Sequence, residues 1–121
     1  MSDIAEIVEA YGAAWLEEDE AKRLALLETC WSDEATYQDP TADVTGRAAL
    51  SAHIGGFHRA RPGAKILLTS GTDHHHGKLR FAWKMVGADG ADMIHGIDFG
   101  TLAPDGRLAS ITGFFGAPPA Q

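Results

Sequence analysis

A single cysteine, Cys30, rules out an intrachain disulfide in this 121-residue chain, and the paired cysteine spacings that hold zinc are missing as well. Cys30 falls among helix-pattern residues, where a thiol serves packing rather than catalysis. Positive charge is also scarce: 10 Lys and Arg against 17 Asp and Glu give a formal net charge of −7. No basic cluster is present, so the chain lacks the surface a nucleic acid requires. No apolar run reaches membrane-spanning length, and the first residues form neither a secretory leader nor an Arg-rich presequence. Internal repeats and low-complexity linkers are absent too. These absences leave a cytoplasmic protein with no membrane or nucleic-acid partner. One domain is expected over residues 1–116, followed by a loose tail at 117–121. With 45% hydrophobic and 22% charged residues, the chain has enough apolar content for a core and one enclosed pocket.

Apolar spacing divides the chain into two halves. Ile4, Ile7, Val8, Tyr11 and Trp15 recur at helical intervals, with Asp3 and Glu6 placed as a capping pair. Asp19 is a second N-cap, and Ala21, Leu24, Leu26 and Leu27 form the apolar face of a short second helix leading to Trp31. A strand over Ala35–Pro40 follows, then an irregular piece over Thr41–Thr45 that suits a loop or the start of a helix. Leu50, His53, Ile54, Phe57 and Arg61 mark the stripe of a third helix, ended by Pro62 and Gly63. Beyond that point the period drops to two. Strands are expected over Ile66–Ser70, Lys78–Met85, Met93–Leu102 and Leu108–Phe115, joined by turns at His76-Gly77, Ala88-Asp89-Gly90 and Pro104-Asp105-Gly106. Helices followed by an antiparallel meander give an α+β fold, with three N-terminal helices covering the concave face of a curved sheet. Gly96, Gly100, Gly113 and Gly116 allow the bending.

Two carboxylates stand out against this pattern. Asp39 precedes a proline, which holds it in extended geometry at a strand end; such a residue is either a turn former or an acid–base group. Asp98 shares one strand face with Ile94, Gly96, Gly100 and Leu102, and burial there would raise its pKa and leave it a neutral hydrogen-bond donor. Trp15, Trp31, Phe57, Trp83 and Phe114 are apolar core residues, some of which must line any cavity, and His53 and Tyr37 are the candidate polar groups beside them in a substrate-binding pocket. His74-His75-His76 is not read as a metal site, because neighbouring strand residues face opposite ways and Gly77 marks an exposed turn. His95 and Arg80 fall on the outer face. So do Ile97 and Phe99, which are too apolar to be left in water and point to a homodimer through the sheet.

The order of elements, the run Trp31-Ser-Asp-Glu-Ala-Thr-Tyr-Gln-Asp-Pro40, Gly46 opening the third helix and Asp105-Gly106-Arg107 before the last strand resemble the NTF2-like superfamily, and within it small SnoaL-like proteins. The likeness implies the cone-shaped α+β fold over nearly the whole chain. The superfamily's activities include isomerases, cyclases, dehydratases and epoxide hydrolases, beside non-enzymes. Steroid Δ5-3-ketoisomerases in it use a general-base aspartate before a proline, a first-helix tyrosine and a protonated aspartate on a late strand. Asp39, Tyr11 and Asp98 resemble those positions, with Tyr37 beside Asp39 as the alternative hydroxyl. The resemblance implies proton transfer next to the carbonyl of a small apolar compound, without a cofactor. A non-catalytic ligand-binding or scaffold homodimer is the alternative. A dehydratase or epoxide hydrolase is another, needing His53 or an inward-facing Arg80 beside an acid.

Overall fold

The computed structural model describes residues 3–121; Met1 and Ser2, where the expected domain begins, lie outside the described residues. Asp3 caps α1 (Ile4–Leu16) by accepting the Glu6 N–H at 2.9 Å, and the spacing of Ile7, Val8, Tyr11, Ala14 and Trp15 buries one helical face. Asp19 caps α2 (Glu20–Cys30) in the same way through the Lys22 N–H at 2.9 Å. The apolar face expected for α2 is only partly right. Leu27 and Cys30 are buried, but Ala21 is exposed, Leu24 and Leu26 are half-buried, and the remaining buried residue is Arg23. Its Nε donates to Ser51 Oγ at 2.9 Å and its Nη1 to the Glu17 carbonyl at 2.8 Å. The guanidinium therefore ties the end of α1 to the third helix, and hydrogen bonds compensate its burial.

β1 (Trp31–Asp39) leads into β2 (Ala42–Thr45), which pairs with it antiparallel. The segment read as a loop or helix start is thus a strand. Its physical cause is the Asp39 side chain: Oδ1 accepts both the Thr41 N–H and the Thr41 hydroxyl at 2.7 Å, closing the tight turn that reverses the chain. The third helix, α3 (Arg47–Ala60), ends one residue before Arg61, which serves as its C-cap.

The remaining strands are β3 (Lys65–Leu68), β4 (Asp73–His75), β5 (Lys78–Val86), β6 (Asp92–Leu102) and β7 (Leu108–Phe115). β4 was not anticipated from the sequence. One sheet forms in the order β2-β1-β7-β6-β5-β3, with β4 also paired to β5; among the described residues only β1 and β7 run parallel. Register shifts in the β1–β7, β5–β6 and β6–β7 ladders bend it, and the three helices pack on the inner face. Between the layers Leu27, Trp31, Leu50, Ile54, Leu79, Leu108 and Ile111 are fully buried. Residues 117–121 are exposed and belong to no helix or strand.

Candidate active site

A pocket of about 420 Å³ lies between the helices and the sheet. Its lining includes Tyr11, Asp39 and Asp98, so the three residues singled out on α1, β1 and β6 come together. Trp15, Tyr37, His53, Phe57 and Trp83 also line it. Two expected lining residues do not. Trp31 is wholly buried beneath the site, stacked on Tyr11 with ring centroids 5.7 Å apart. Phe114 is 61% exposed on the opposite face of β7. Strand alternation from Ile111 through Gly113 to Phe115 places Phe115 inside, and the same rule applied to β5 finds Phe81 and Met85 beside Trp83.

The two carboxylates meet across a glycine. Asp98 pairs with Gly113 on β7, and a Cβ at Gly113 would sit 2.9 Å from Asp98 Oδ1 and 3.6 Å from the Asp39 Cβ. Without that methyl both acids share one end of the pocket. A second glycine has a related role: a Cβ at Gly96 would lie 2.2 Å from Trp83, so its absence lets the indole cross β6. Trp83 Nε1 then donates to Asp98 Oδ1 at 2.9 Å. Two of the donors to these acids, Trp83 for Asp98 and Tyr37 for Asp39, do not follow from the sequence reading. The second was nonetheless legible, because residues two apart on a strand share a face.

Electrostatics separate the pair. Burial pushes the Asp98 carboxyl up to about 7, opposed by the Trp83 hydrogen bond and reinforced by the charge of Asp39. The Asp39 side chain is 4% exposed, and this desolvation also acts upward. It is outweighed by the Tyr37 hydroxyl, which donates to Oδ2 at 2.5 Å, by the two Thr41 bonds and by His53, whose Nε2 lies 3.9 Å away. Asp39 therefore sits below the ordinary carboxylate range. Tyr37 is raised by burial and by its bond to Asp39.

Tyr11 is raised well above a free phenol by burial and then by the charge of Asp98. Among the described residues its oxygen has no hydrogen-bond partner; Trp15 approaches and offsets a little of the shift without reaching hydrogen-bond geometry. A buried hydroxyl left unpaired costs about 1–3 kcal/mol unless a ligand supplies the partner. Trp15 stands at the centre of an aromatic wall, 5.7 Å from Tyr37, 5.8 Å from His53 and 5.9 Å from Phe57 between ring centroids.

Outside the pocket, Cys30 is buried and its thiol is pushed up to about 12 by desolvation. Arg80 points outward and pairs with Asp73, and His95 is exposed beside Asp92. Among the described residues no three His, Cys, Asp or Glu side chains cluster as metal ligands would. His75 and His76 do not face opposite ways as simple alternation implied. His76 has a φ of 52°, which turns its Nδ1 to within 3.1 Å of His75 Nδ1 on the exposed surface. No helix among the described residues is long and apolar enough to cross a membrane.

No family profile and no curated protein matches this chain. Solved structures do match it. A candidate isomerase of the SnoaL-like family from Agrobacterium tumefaciens str. C58 is 31% identical, with 93% of this chain and 96% of that one aligned at a TM-score of 0.87. A candidate polyketide cyclase from Sinorhizobium meliloti is 18% identical over 89% of this chain and 93% of that one, at a TM-score of 0.70. A SnoaL-like candidate polyketide cyclase from Jannaschia sp. CCS1 is 15% identical over 98% of both chains, at a TM-score of 0.69. These last two share the fold.

Proposed function

The chain belongs to the SnoaL-like family of the NTF2-like superfamily, and from that premise we propose that it is a cofactor-independent acid–base enzyme acting on a small, mostly apolar carbonyl compound. Asp39 takes a proton from the carbon next to the carbonyl and returns it further along the enolate. Tyr11 and protonated Asp98 donate hydrogen bonds to the oxygen as negative charge develops on it. The observation that carries this reading is the divergence of two carboxylates in one pocket, Asp39 held low and Asp98 raised to about 7. Asp39 is then ionised and Asp98 largely neutral on the acid side of neutrality, as a base and a donor must be. The unpartnered Tyr11 hydroxyl adds the second donor.

A panel of unsaturated ketones tests it, read as double-bond migration or as solvent deuterium uptake. Asp39→Asn is expected to lower the rate by about 10²–10⁴-fold, the usual worth of a general base. Undiminished turnover in that variant removes Asp39 from the role.

One observation favours a second reading, binding without turnover: Asp39 already accepts three hydrogen bonds, which weakens it as a base. Native mass spectrometry showing a retained small molecule, with no turnover of the panel, selects this alternative. Dehydration through His53, 3.9 Å from Asp39, needs no Arg80; the epoxide-hydrolase variant needs Arg80 inside and loses its support.

A further inference from the structure

Proton transfer leaves one charged group of the pocket without a role. Arg61 is the only Lys or Arg in the lining, it is exposed, and it makes no ion pair among the described residues. A cation after the last turn of α3 would also suit the helix dipole, but His58 and Arg59 already supply that turn. The chain carries a formal charge of −7, so its long-range field repels anions. A lone guanidinium at the edge of an apolar pocket reverses that locally, and its planar fork matches a carboxylate.

Position along α3 sets the spacing. His53 lies beside Asp39, and Arg61 follows eight residues later, about 12 Å along the axis at about 1.5 Å per residue. Phe57 lies between them on the helix, and Ile66, Leu68 and Met85 complete apolar walls. The charged end is thus separated from the acid–base end by a surface that suits a flat hydrocarbon body.

We infer that the substrate class is an amphipathic carbonyl compound bearing a carboxylate at the end remote from the reacting oxygen, with Arg61 as the residue that selects it. The inference rests on reading the pocket as a ligand site, and the test separates the two.

Quenching of tryptophan fluorescence, to which Trp15 and Trp83 in the lining contribute, reports binding of 2-naphthol and of 6-hydroxy-2-naphthoate at about pH 7. Both are flat and carry one hydroxyl; only the second has a carboxylate at the far end. The naphthoate is expected to bind about 5–10-fold more tightly, the scale of a charge-assisted contact. That preference should shrink as salt is raised from about 0.05 to about 0.5 M. Arg61→Gln should abolish the preference, bringing the two probes to equal affinity in that variant, whereas Arg59→Gln, outside the lining, should keep it. Arg61 caps α3 through its backbone alone, so its substitution leaves the helix end intact. Equal affinity for both probes, or a preference that survives Arg61→Gln, overturns the inference while the pocket stands. Failure of both probes to bind overturns the pocket reading and this inference together.

Discussion

Asp98 titrates near pH 7 in the folded protein, whereas an unfolded aspartate titrates near pH 4. Between those values the folded state binds the extra proton, so stability falls as pH rises from about 4 to about 7 and levels off above. At about 1.4 kcal/mol per unit this loss is on the order of 4 kcal/mol. Asp39 works in the opposite sense, contributing stability that is lost as pH falls through and below the ordinary aspartate pKa. Because the Trp83 hydrogen bond favours the charged form of Asp98, Trp83→Phe should move the Asp98 midpoint upward and extend the slope to higher pH. A carboxyl ¹³C titration with denaturant melts at several pH values reads both effects; an unmoved midpoint would show that the indole does not tune the acid. The sequence already placed Asp98 on an apolar strand face. It could not show the indole reaching it, because that contact depends on Gly96 lying opposite Trp83 in a register formed only on folding.

Among the elements, the helix starts were the most legible, since a cap is a local event between residues three apart. Asp19→Ala removes the acceptor for the Lys22 N–H and is expected to cost about 1 kcal/mol in chemical denaturation, with the unfolding m-value unchanged. A loss near zero would mean water replaces the cap without penalty. Strands β5, β6 and β7 were equally plain from their alternation. β2 was missed because its turn is made by a side chain, Asp39, that the pattern marks only as a candidate acid. Arg23 was missed because a buried arginine contradicts amphipathic spacing; only the positions of Ser51 and the Glu17 carbonyl explain it.

At the scale of the whole molecule, the outer face of the sheet carries a prediction with a direct measurement. Met93, Ile97, Phe99 and Phe114 are 47, 44, 43 and 61% exposed, and Met93, Ile97 and Phe99 alternate along β6 away from the helices. Such a face is expected to be covered by a second copy, and light scattering after size exclusion should give twice the 12.9 kDa chain mass. Phe99→Lys should shift the particle towards monomer, and a wild-type monomer at micromolar concentration would remove the dimer. The sequence by itself determined the class of fold, the helix caps, the strand faces and three candidate residues, because all of these are periodicities or short-range contacts. Tertiary structure alone decided that Tyr11, Asp39 and Asp98 share a pocket, that Trp31 and Phe114 do not, and that the two acids differ in proton affinity. Those outcomes depend on sheet register, on Gly113 leaving room between two strands and on burial, and no single segment carries them.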